Sequence, residues 1–210
     1  MKKLLALAVI AALIGASSTA RADLTAVTSI SGGSTFPAFN GTNMTIGWSF
    51  SVNAAMSVTA LGFYDVSPDD PLTQSHQVGL WDATGATLLA SVTIGTSASL
   101  DGAFRYVSIT PINLDADTSY LIGADITSPF SDVYTLPSSF TTSADVTLTG
   151  STRNGSSGGF SAPTTVTAGN GRFGPNFQYV LDAVDTPEPA SMALLAGGLL
   201  GLGLARRKRV

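Results

Sequence analysis

A lone histidine, His76, and a scatter of aspartates are the side chains of this 210-residue chain best suited to acid–base or metal chemistry; cysteine is absent. A serine–histidine–aspartate triad would have to be built on His76. Its place beside the acidic stretch 65–71, where a strand begins, instead suits a surface or strand-edge residue. A two-carboxylate glycosidase site needs only a pair of acids at the right separation. Between Asp23 and Asp185, however, every acid is aspartate, and most fall where turns are expected, positions at which aspartate bonds its own backbone. Two groups have the oxygen spacing of calcium loops: Asp65, Asp69 and Asp70 in one stretch, and Asn113, Asp115 and Asp117 at every second residue. Both lack the glycine and distal glutamate of an EF-hand, so solvated, turn-forming acids are the simpler reading, and calcium is the one cofactor left open. Trp48, Trp81, Tyr64, Tyr106 and Tyr134 are the aromatics that could stack on a sugar ring. Trp48 lies in phase with Ile46 and Phe50, and Trp81 sits in a short strand beside Leu80, so both read as core; Tyr134, in a loop-rich stretch, reads as the most exposed. No catalytic, cofactor-binding or metal-binding residue is assigned from these patterns.

The elements that position these residues read as strands. Short alternating runs rich in Val, Ile, Thr, Phe and Tyr are broken by Gly, Pro, Asn and Asp about every ten residues, which predicts an all-β, antiparallel sandwich of jelly-roll type. Strands are expected over 45–52, 58–64, 77–81, 88–94, 104–109, 119–126, 146–149 and 177–184, with no helix between residues 23 and 185. Asp82-Ala83-Thr84-Gly85-Ala86 reads as a hairpin loop with Gly85 in a left-handed conformation. The stretch 154–159 reads as a Gly/Ser loop, and Pro68 and Pro71 take residues 65–71 out of any ladder. Asn40, Asn43 and Asn154 open Asn-x-Ser/Thr sequons by spelling only.

Charge narrows the partners. Residues 23–185 hold thirteen aspartates, three arginines (Arg105, Arg153, Arg172) and no lysine, a formal net charge of −10. Such a surface repels phosphate backbones and excludes nucleic acid as a partner. The absence of cysteine excludes disulfides and thiol chemistry, and a domain of this size can bury a sufficient core without them.

Both ends of the chain carry addresses. Lys2 and Lys3 precede an apolar run over 4–15, and Ala20-Arg21-Ala22 fits small-x-small cleavage, so residues 1–22 read as a signal peptide cut by signal peptidase after Ala22. At the other end, Pro187-Glu188-Pro189 is followed by an apolar run of 16 residues ending at Ala205 and by Arg206-Arg207-Lys208-Arg209. As a helix the run would reach about 24 Å, enough for a thin bilayer with the arginines at its end. The basic cluster favours the cytoplasmic side, which leaves the preceding residues outside. The division is 1–22 signal peptide, 23–185 β-sandwich domain and 186–210 tail.

This three-part tail resembles the PEP-CTERM sorting signal of Gram-negative bacteria. The resemblance implies recognition by an exosortase, a membrane-embedded cysteine transpeptidase that cuts near the motif, after a transient stay in the inner membrane. A second resemblance lies within the domain: Leu80-Trp81-Asp82, Gly85 and Leu88-Leu89-Ala90, then Phe104-Arg105-Tyr106-Val107, then Pro111, Leu114 and Thr118-Ser119-Tyr120. Over roughly residues 45–126 the chain is similar to a β-sandwich module of uncharacterised function found in bacterial exported proteins. The sorting resemblance implies a cell-surface or extracellular-matrix protein associated with exopolysaccharide or biofilm, the module resemblance supports the fold, and the sparse chemistry of the residues makes the expected role non-catalytic. A carbohydrate-binding module and a secreted hydrolase are the alternatives.

Overall fold

The computed structural model describes residues 22–37, 43–65, 72–127, 132–154 and 159–182. Within them the chain forms fifteen strands, numbered in chain order, and no helix. A five-stranded antiparallel sheet runs β1 (Leu24–Thr25), β15 (Pro175–Leu181), β5 (Met56–Tyr64), β9 (Phe104–Leu114), β8 (Ser99–Asp101). A six-stranded antiparallel sheet runs β14 (Thr165–Thr167), β13 (Val146–Arg153), β4 (Asn43–Val52), β10 (Thr118–Thr127), β6 (His76–Asp82), β7 (Leu88–Ile94). Two ribbons complete the domain: β3 (Ser34–Pro37) with β11 (Val133–Leu136), and β2 (Val27–Ser31) with β12 (Ser139–Thr142). All eight strands expected from the alternating pattern are present. The shorter ones, mostly two to five polar or mixed residues, carry no comparable alternation.

Period-two alternation builds the core. On β4, Ile46, Trp48, Phe50 and Val52 are fully buried and meet the five-stranded sheet through Phe177 of β15. Its ring centroid lies 6.0 Å from Trp48 and 5.0 Å from Phe50. The Trp48 indole N–H donates to the Pro175 carbonyl at 2.9 Å, so the largest core side chain is buried with its polar atom satisfied. Where strands must bend, extra residues are accommodated as irregularities. Pro111, which has no N–H to offer a ladder, lies within the break in register between Val58/Ile112 and Ala60/Ser108.

The outer face of the six-stranded sheet is buried differently. Gly47, Gly123 and Gly79 pair in one row across β4, β10 and β6. The segment 159–164 lies against this row: a Cβ on Gly79 would stand 2.8 Å from Phe160 Cζ, and one on Gly123 2.9 Å from Pro163 Cγ. Trp81, expected in the core, is buried here instead, tilted against Phe160 with centroids 5.2 Å apart. Asn154 fixes one end of the segment. Its Oδ1 accepts from Thr45 N at 2.7 Å, while Nδ2 donates to Gly159 O at 2.7 Å and Ser161 Oγ at 2.8 Å. The Asn154 sequon is therefore a buried structural amide. Asn43 is exposed, and Asn40 lies outside the described residues.

The hairpin after β6 forms as expected. Asp82 Oδ1 accepts from Thr84 N, Thr84 Oγ1 and Ala86 N, and Gly85 has φ 74°. These bonds, the Thr84 hydroxyl foremost, hold the Asp82 carboxyl below its ordinary range.

Candidate functional site

The residues with the most specific sequence signal lie outside the described residues: Ala20, Pro187, Glu188, Pro189, Arg206, Arg207, Lys208 and Arg209, together with the apolar runs of both ends. Ala22 is described and exposed, two residues before β1. The geometry does establish where the described chain enters and leaves the domain. β1 and β15 are antiparallel neighbours, with Leu24 opposite Tyr179. The chain therefore enters and leaves the fold at one corner of the five-stranded sheet, and Asp182 is fastened there by bonds to Ala55 O and Ser57 Oγ.

His76 is not a strand-edge surface residue. It is 1% exposed, points between the sheets, and stacks on Phe63 of β5 with centroids 3.9 Å apart and planes 10° from parallel. Its Nδ1 lies 2.9 Å from the Asp125 carbonyl oxygen and its Nε2 3.0 Å from Asp132 Oδ2. Asp132 in turn accepts from Thr73 N and Thr73 Oγ1, both at 2.8 Å, and from Gln74 N at 3.2 Å. Asp125 accepts from Gln77 N, and burial pushes its carboxyl above the ordinary range. Both ring nitrogens are thus committed to backbone or carboxylate oxygens, whereas a general base needs one nitrogen turned toward a nucleophile. The spacing of the sequence could not reveal this, because the partners stand 49 and 56 residues away.

The calcium groupings are described only in part. The Asp65 side chain is buried and bonded to Arg105 Nε at 2.6 Å, while Asp69 and Asp70 lie outside the described residues. Asn113 accepts from Ser57, and Asp115 and Asp117 are exposed in the β9–β10 turn, Asp117 at φ 57°. Among the described residues, no three His, Asp or Glu side chains are grouped to hold a metal ion.

The aromatics also move inward. Tyr134, expected to be exposed, is 2% exposed; it stacks on Phe36 and takes a hydrogen bond from Arg172 Nη1 at 2.8 Å. Trp48, Trp81 and Tyr106 are buried, leaving Tyr64 half-buried. A cleft of about 320 Å³ opens between β2 and the β8–β9 turn, lined by Thr25, Thr28, Ser29 and Asp101 over an apolar floor of Ala103 and Phe104.

Residues 33–177 match the model of a family described as a domain of unknown function, DUF4082. The chain belongs to that family. The DUF4082 region contains the whole six-stranded sheet and reaches into β15, and it encloses the stretch whose likeness to an exported module was read from the sequence. β1 and β2 precede it. Residues 185–209 match the PEP-CTERM protein-sorting motif, which makes the chain an exported protein whose tail directs sorting by an exosortase. No curated protein matches the chain.

Proposed function

We propose that this protein is a non-catalytic component of the cell surface or extracellular matrix of a Gram-negative bacterium, associated with exopolysaccharide. In this reading signal peptidase cuts after Ala22, the inner membrane holds the precursor by its C-terminal run, and an exosortase cuts near Pro187-Glu188-Pro189. One observation carries the reading: a sorting motif at 185–209 stands directly behind a lysine-free acidic β domain. The commitment of both His76 nitrogens supports a non-catalytic role. Replacing Pro187, Glu188 and Pro189 together by alanine tests the sorting route. The expected result is precursor retained in the inner membrane and a surface fraction reduced to background; an unchanged surface level would contradict it. Matrix association predicts that the processed protein co-sediments with exopolysaccharide and is released when the polymer is digested.

The cleft beside β2 favours a second reading, a carbohydrate-binding module. Its hydroxyls and the Asp101 carboxylate are of the kind that hold sugar hydroxyls over an apolar floor. Saturable retention on a purified polysaccharide, lost on Asp101→Ala, is the result this reading requires.

A further inference from the structure

The hydrogen bonds of His76 fix how many protons its ring holds. The carbonyl oxygen of Asp125, 2.9 Å from Nδ1, can only accept, so Nδ1 carries hydrogen. The contact of Nε2 with Asp132 Oδ2 at 3.0 Å also needs one hydrogen, since two bare lone pairs at that distance in a dry site repel. Asp132 already accepts from Thr73 N, Thr73 Oγ1 and Gln74 N, so its oxygens are engaged as acceptors. The hydrogen therefore belongs to the ring. We propose that His76 is a buried imidazolium in the folded domain, and that its ion pair with Asp132 is a proton-dependent latch joining the start of β6 to the segment that leads into β11.

The surroundings favour the charged ring. The Phe63 face lies parallel to it at 3.9 Å, a favourable seat for a cation. From β10, Asp125 Oδ1 stands 3.8 Å from Nδ1. Directly after β5, two residues beyond Phe63, Asp65 is paired with Arg105 of β9. From β7, the residue paired with His76 is Ile94. Removing the Nε2 proton would set a lone pair against the Asp132 carboxylate inside the fold. The proton therefore favours the closed form.

His76 is the chain's one histidine, so nitrogen-15 labelling of histidine in the full-length protein gives ring signals that need no assignment. At about pH 8, where a solvent-exposed imidazole titrating near about 6.5 has one bare nitrogen, both His76 nitrogens are expected to carry a bound proton. In Asp132→Asn the carboxamide can donate to Nε2, and that nitrogen is expected to become bare while the domain stays folded. A bare ring nitrogen in the folded wild type at about pH 8, or two protonated ring nitrogens in folded Asp132→Asn, would overturn the proposal.

Discussion

Trp48 and His76 are both rings sealed between the same two sheets, yet they are held there by opposite means. Trp48 is surrounded by Phe50, Phe173 and Phe177 and needs one hydrogen bond, to Pro175. His76 lies on the Phe63 face with an oxygen partner at each ring nitrogen. Apolar burial tolerates approximate neighbours, since dispersion and transfer act without direction. Polar burial demands particular atoms, because an unpaired polar group in a dry site costs more than the pair contributes.

Truncation at each centre sharpens the contrast. Trp48→Ala removes the largest core side chain and is expected to cost about 3–5 kcal/mol in urea or thermal unfolding. Asp132→Ala removes far fewer atoms but strands His76, and about 3 kcal/mol is expected, as for breaking a buried ion pair. If Asp132→Ala proved nearly silent, the distinction between the two centres would collapse. The glycine row offers a third regime, in which nothing is removed. In Gly79→Ala the added methyl meets Trp81 Cη2 at 2.6 Å, and a loss of about 1–3 kcal/mol is expected from overpacking.

The smallest effect concerns Tyr179, whose hydroxyl donates to Asp145 Oδ2 at 2.9 Å and accepts from Ser143 Oγ at 2.7 Å. Burial, reinforced by the Asp145 charge, pushes its phenol up to about 12. The folded form stays neutral while the unfolded one ionises near about pH 10. This contribution is whole below about pH 10 and is lost as pH rises toward 12. Tyr179→Phe is expected to lose about 1 kcal/mol at neutral pH and to show a shallower alkaline decline. An identical decline in both proteins would assign it elsewhere.

How much of this was legible follows from the same distinction. The long strands announced themselves because Ile46, Trp48, Phe50 and Val52 alternate with smaller or polar residues. So did the Asp82–Gly85 turn, whose bonds close within a few residues. β2 and β12 did not, because they are short and held by distant groups: Val27 is bonded on both its N–H and C=O by the Asn176 side chain. Trp81 read as buried, but its cover, Phe160, comes from a segment with no alternation. His76 and Tyr134 were misplaced for one reason: Asp132 and Arg172 are far away in the chain, and nothing local marks them as partners. The sorting tail is the reverse case, legible because a receptor must read it as contiguous sequence.

The account rests on removal of both addresses from an acidic domain outside the cytoplasm. Intact-mass measurement of the protein recovered from the cell surface and medium tests this most directly. A mass beginning at Asp23 and ending near Pro187-Glu188-Pro189 is expected, whereas a full-length polypeptide with both ends intact, found soluble inside the cell, would contradict it.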